Sequence, residues 1–246
     1  LLAAGIAGGF GSVFGTPIAG AVFGLEVVHL GKIEYSSLVP ALVASVVGDY
    51  TVRLLGIHHS AFPTVGSLSI DPLVAGKWTL VGIVVALVAI AFVELTHLIR
   101  HTLEAWIGSL PLRMALGGLA IVALWRLKVV FTAITLGSGF LGGEVTPLFF
   151  IGATLGSALA APLGLPLALT AGVCMAAMFA AASNTPLALS IMAVELLGAA
   201  AMPHVVIVCV VAYLMTGNRS IYPAQRLARE KCGTREFDLP VRLRDV

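Results

Sequence analysis

Charged residues are scarce in this sequence: they make up 11% of its 246 residues against 59% hydrophobic, and the mean hydropathy is +1.05. That balance excludes an ordinary soluble globular domain. The formal net charge of +2 decides nothing by itself. Cysteine is nearly absent as well. Cys174, Cys209 and Cys232 lie far apart, so neither a disulfide framework nor a metal-ligand spacing is present, and they read as small buried hydrophobes. His29, His58, His59, His97, His101 and His204 show no HExxH or similar spacing and read as interfacial or solvated side chains, so no metal and no cofactor are expected. The opening LLAAGIAGGF lacks a Met, a basic n-region and a cleavage site; it begins inside a helix, as a fragment would, rather than with a signal peptide.

Long apolar runs are abundant. Segments 80–93 and 205–215, with their flanks, are long enough to cross a hydrocarbon core of about 30 Å as helices, while others read as re-entrant or half-spanning pieces. The 27 glycines and 12 prolines interrupt these runs so often that several helices must break inside the membrane. Broken helices are tolerated there only against protein or a water-filled cavity, which favours a transporter or channel over an anchor. Arg226, Arg229, Lys231, Arg235, Arg242 and Arg244 crowd the C-terminal end, and the positive-inside rule assigns that end to the cytoplasm.

Breaks at Gly, Pro and charge clusters predict helices over 1–14, 17–29, 36–55, 72–106, 112–127, 129–136, 147–160, 167–182, 186–197, 203–215 and 221–231, with a polar connector over 58–69. One repeat is directly readable. Thr16-Pro17-Ile18-Ala19 precedes Glu26 at the same spacing at which Thr185-Pro186-Leu187-Ala188 precedes Glu195. Duplicated, interrupted apolar segments mark transporters built from repeats. At Trp125-Arg126-Leu127-Lys128-Val129 two apolar runs meet without a turn residue, as if a segment were missing. Asp49 reads as a helix-end carboxylate near the membrane interface.

The most unusual stretch is GSGFLGGEVTPLFFIGATLG, from Gly137 to Gly156, where Glu144 and Thr146 stand between two glycines and a proline. Gly142 and Gly143 allow close backbone approach, and Pro147 fits the first turn of a helix, where its missing N–H costs nothing. The first N–H groups of that helix have no internal partner and, with the helix dipole, form an anion site. Thr146 either caps the helix or donates its hydroxyl to a bound ion. Glu144 has two readings: a carboxylate satisfying orphan donors, or a functional ionisable group at membrane depth.

GGEVTPLFFIGATLG resembles the signature that opens a central helix in the CLC family of chloride channels and anion/proton antiporters, and the Glu-Val-Thr-Pro form is similar to the fluoride-exporting bacterial branch. GTPIAGAVFGLE, Gly15 to Glu26, and NTPLALSIMAVE, Asn184 to Glu195, resemble the paired helices of that family's dimer interface. GNRSIYPAQRL, Gly217 to Leu227, resembles the segment with its central pore tyrosine, here Tyr222. The resemblance covers nearly the whole chain in the right order. It implies an all-α membrane protein, part of an inverted-repeat bundle with broken and re-entrant helices. Residues 1–71 would end the first repeat, 72–231 would form the second, with anion loop and pore tyrosine, and 232–246 would be a short cytoplasmic tail.

The resemblance further implies an anion site from the backbone N–H groups of Glu144 and Val145 and the hydroxyl of Tyr222, with Thr146 and Glu144 at polar positions characteristic of the fluoride branch. It implies a homodimer whose interface includes Pro17, Gly20 and Phe23 on one helix and Pro186, Ala188 and Ile191 on the other. The expected function is fluoride export coupled to proton antiport across the bacterial inner membrane, with chloride channel or chloride/proton exchange as the alternative. Val27 stands where the chloride antiporters place an internal proton-transfer glutamate, which disfavours that alternative. The gating glutamate and first filter loop of the family would belong upstream of Leu1. An enzyme is not expected: an intramembrane hydrolase would need Ser138 beside His204, and no hydrolase motif surrounds Ser138.

Overall fold

The computed structural model describes residues 1–59, 61–63, 65–66, 68–107, 109, 112, 116, 143, 145–222, 224–229, 231 and 236–242. Eight helices organise the described residues: α1 Leu2–Phe14, α2 Pro17–Glu26, α3 Leu38–Leu54, α4 Pro72–Trp106, α5 Val145–Leu163, α6 Leu167–Ser183, α7 Pro186–Leu197 and α8 Met202–Thr216. Prolines at the first turn set the starts of α2, α4, α7 and α8, where a missing N–H breaks no hydrogen bond. The N-terminus of α4 is closed by Asp71, whose Oδ1 accepts from the Val74 N–H at 2.7 Å.

Helix α6 is the centre of the molecule. Nearly every residue from Leu169 to Ser183 is buried, as expected for a helix apolar all round. Helices α4, α5, α7 and α8 pack around it, contributing Trp78, Leu148, Leu189, Val205 and Val208 to one core. Helices α1, α2 and α3 form a neighbouring layer, joined to the rest mainly where α2 meets α7. The stretches Tyr35–Leu54, Pro72–Trp106, Val145–Leu163 and Ala199–Thr216 are long and apolar enough to cross a membrane. The 35 residues of α4 amount to about 52 Å of helix, more than the bilayer core is thick, so α4 crosses steeply tilted or extends beyond it.

The helical membrane architecture expected from the sequence holds, with four differences of detail. Helix α2 stops at Glu26, and the chain continues through Val27 and Val28 into a short strand, β1 His29–Leu30. Helix α5 starts at Val145, ahead of Pro147, and continues to Leu163. The helix expected over 221–231 is instead a turn followed by strand β2 Arg226–Arg229, parallel to β1 and antiparallel to β3 Glu236–Arg242. The backbone of this segment finds its partners on β1, with the Arg226 N–H donating to Val28 O at 3.2 Å. Asp49 is buried within α3 rather than at its end; Arg53 one turn on donates to it at 2.9 Å, and His59 Nδ1 lies 4.0 Å away. The segments 112–127 and 129–136 and the junction at 125–129 fall largely or wholly outside the described residues.

Candidate functional site

The two Thr-Pro-x-Ala copies adopt the same backbone. Gly15 and Asn184 end α1 and α6 in left-handed conformations, φ 68° and 62°. Thr16 and Thr185 follow with φ −124° and −126°, and Pro17 and Pro186 open the next helices. Each helix start leaves N–H groups unpaired, and neither threonine side chain caps its own helix. The glutamate of the opposite copy supplies the acceptor. Glu195 accepts from Ile18 N–H at 3.1 Å and Ala19 N–H at 2.9 Å, while Glu26 accepts from Leu187 N–H at 3.2 Å and Ala188 N–H at 2.9 Å. Two carboxylates in apolar surroundings are thus satisfied by two helix N-termini, in mutual exchange. Close approach at Gly20 completes the packing: a Cβ there would overlap the Gly11 backbone of α1 and the Ser45 hydroxyl of α3.

The segment carrying Tyr222 is held on both sides of that residue. Before it, Ile221 N–H donates to Ala182 O at 2.9 Å, and Asn184 Nδ2 donates to Arg219 O at 3.0 Å. After it, Gln225 is buried with every polar atom of its amide engaged. Its Nε2 donates to Val27 O at 2.9 Å and Ser183 O at 3.1 Å, and its Oε1 accepts from Asn184 Nδ2 at 2.9 Å. Tyr222 itself is half-buried and packs on the central core.

Helix α5 approaches the same core. Val145 is half-buried, Thr146 is exposed and Pro147 lies in the first turn, so α5 begins two residues ahead of the start expected at Pro147. Gly143, just before it, has φ 84°, a conformation that glycine adopts without strain. Glu144 lies outside the described residues. One turn into α5, Phe149 meets Phe179 of α6 edge-on at 5.6 Å and Phe14 of α1 at 5.4 Å. Phe10 and Phe23 stack at 4.4 Å beside them, so an aromatic cluster joins α1, α2, α5 and α6.

The structure therefore places Val145 and Tyr222 on one core, and α2 and α7 side by side. Of the residues expected at a subunit contact, Gly20, Phe23 and Ala188 are buried within the chain, whereas Pro17, Pro186 and Ile191 are partly exposed. His204 is fully buried against Trp78, ring centroids 5.1 Å apart. Ser138 lies outside the described residues. Sequence reasoning saw the repeated glutamates but not their capping role, and it assigned nothing to Asn184 or Gln225. The available signal was chemical: a carboxylate or amide in an apolar run needs partners, and orphan backbone groups of the other copy were the nearest supply.

A family profile described as voltage gated chloride channel matches residues 1–126 and 120–217. The two matches meet at the junction where the sequence lacks a turn. The chloride/fluoride channel protein of Pseudomonas syringae pv. tomato is 39% identical over 287 aligned residues, covering 100% of this chain and 62% of that protein. A ClC-type chloride channel of Salmonella typhi is 26% identical over 261 residues, covering 87% of this chain and 61% of that one. The chain thus spans about three fifths of the length of these relatives. Among solved structures, a CLC-type fluoride/proton antiporter superposes with a TM-score of 0.86 at 33% identity, over 91% of this chain and 64% of that one. A slow cyanobacterial chloride/proton antiporter superposes with a TM-score of 0.64 at 18% identity, over 87% of this chain and 60% of that one, and shows the shared fold alone. By sequence and by fold, this multi-pass membrane chain belongs to the CLC family of voltage gated chloride channels and anion/proton antiporters.

Proposed function

We propose that this chain is part of a homodimeric fluoride exporter of the bacterial inner membrane, coupled to proton antiport, with its C-terminus in the cytoplasm. The observation that carries the reading is the N-terminus of α5 at Val145, its first donors unpaired by the helix, in a chain 33% identical to a fluoride/proton antiporter structure. Fluoride is small and strongly hydrated, so a site that strips its water must return several donors at short range. The N–H groups of Glu144 and Val145 and the hydroxyls of Thr146 and Tyr222 form that set. An ionised Glu144 offers only acceptors and repels the ion; it holds the loop, or in its neutral form donates and moves the proton. Val27 beside the capping Glu26 supports fluoride over chloride, because the chloride antiporters this chain resembles carry a glutamate there. Residues 1–71 and 72–231 serve as parts of two repeats in this reading, and 232–246 as the cytoplasmic tail.

The test is fluoride transport by the full-length protein in liposomes. Thr146→Val keeps the shape and removes a donor, so it weakens fluoride affinity roughly ten- to a hundredfold, the worth of a hydrogen bond to a charged group. Glu144→Gln lowers proton coupling more than fluoride binding. Unchanged fluoride dependence in Thr146→Val removes the ligand assignment, and unchanged coupling in Glu144→Gln leaves Glu144 as a cap.

A further inference from the structure

We propose that Gln225 and Asn184 are positioning residues for anion transport: together they fix Tyr222 and tie its position to the ends of α2 and α7. The inference rests on the reading of Tyr222 as an anion-path residue. Its basis is a closed circuit of hydrogen bonds. Val27, whose carbonyl accepts from Gln225 Nε2, directly follows Glu26. Glu26 caps α7 through Leu187 and Ala188, and α7 begins just after Asn184, whose Nδ2 returns to Gln225 Oε1. Tyr222 lies on the backbone between two points tied to that circuit, Arg219, whose carbonyl Asn184 also holds, and Gln225.

The circuit is buried and specific. Gln225 is 2% exposed and Asn184 2% exposed, so neither amide exchanges its partners for water. Asn184 occupies a left-handed φ of 62°, a conformation its short polar side chain tolerates better than most, and that turn aims its amide at the 219–225 segment. Gln225 has two donors, both used on carbonyls from separate elements, Val27 after α2 and Ser183 at the end of α6. A side chain needed only to fill the volume would not require this pairing. Three elements distant in sequence meet at one amide, so a shift of either capped helix is delivered to the backbone that carries the tyrosine.

A positioning role predicts coupling to the Tyr222 hydroxyl, which a double-mutant cycle measures. Gln225→Met keeps length and removes the amide. In liposomes carrying the full-length protein, it raises the half-saturating fluoride concentration about tenfold with Tyr222 present and less than about twofold in the Tyr222→Phe background, within the range of such couplings. Asn184→Gly removes the second amide while glycine accepts the left-handed turn without strain, and it is put through the same cycle. Should Gln225→Met fail to give a monodisperse protein, the Asn184→Gly cycle decides alone. Equal fold-changes in both backgrounds, or none in either, overturn the proposal while leaving Tyr222 in the anion path. Unchanged fluoride dependence in Tyr222→Phe by itself overturns the reading of Tyr222, and the positioning role with it.

Discussion

At the scale of single residues, the two glutamates show how a carboxylate packed among apolar helices becomes part of the scaffold. Glu26 is 9% exposed and accepts two backbone N–H groups; Glu195 does the same on the opposite helix but is more open to its surroundings. Glu26→Gln leaves one acceptor oxygen and turns an NH2 group toward the second donor, at a cost of about 1–3 kcal/mol. The midpoint of thermal unfolding in detergent therefore falls in Glu26→Gln, and falls less in Glu195→Gln. Equal midpoints for Glu26→Gln and the unchanged protein, at one scan rate, would show that the capping bonds add nothing. The sequence displayed both glutamates as members of a repeat, so their equivalence was legible. Their reach across to the other copy was not, because the spacing that relates Pro17 to Glu26 carries no information about which helix lies opposite Glu26.

Helices were legible to the extent that their ends are written locally. Pro17, Pro72 and Pro186 announce helix starts that the structure reproduces, and the apolar run of α4 is found with the expected limits. The segment Arg226–Arg229 misleads because Arg, Leu and Ala are all good helix formers, yet its backbone is claimed by β1 and β3, partners distant in sequence. The closeness of α5 to α6 depends on small residues: a Cβ on Gly152 would overlap the carbonyl of Cys174 and the Met178 side chain, and one on Gly156 the carbonyl of Thr170. Gly152→Ala forces these helices apart at a typical overpacking cost of about 1–3 kcal/mol and shifts α5, which presents Thr146. Its unfolding midpoint falls below that of Thr154→Val, a change on the exposed side of the same helix. Equal midpoints for the two variants would mean that Gly152 does not set the helix separation.

At the scale of the whole molecule, exposed apolar side chains are spread over several helices, among them Leu80, Leu87 and Leu98 of α4 and Phe150 of α5. Helices α2, α3, α7 and α8 contact one another in the order α3, α2, α7, α8, and they carry exposed apolar residues that include Ile18, Leu42, Val46, Leu187, Val206 and Val210. The pairing of α2 with α7 was legible only through the resemblance of the two stretches to the paired helices of the CLC family, which did not give the direction of each side chain. Phe23 is 5% exposed and stacks on Phe10 inside the chain, and Gly20 is pressed against α1 and α3, so a substitution at either reports on the chain's own packing. Leu187 is 52% exposed and Ile191, one turn on, is partly exposed; in the proposed homodimer these are the α7 positions open to a second copy. Lipid tails are as apolar as these side chains, so burial alone does not drive association, and a dimer here depends on close shape matching. A bulky ring breaks such matching without changing polarity. Leu187→Trp and Ile191→Trp are therefore expected to move the full-length protein from dimer toward monomer, read as mass by light scattering corrected for detergent. Leu73→Trp, at an exposed position near the start of α4, leaves the mass unchanged. A dimer that persists in both α7 variants would assign this face to lipid and remove the homodimer contact proposed for α2 and α7.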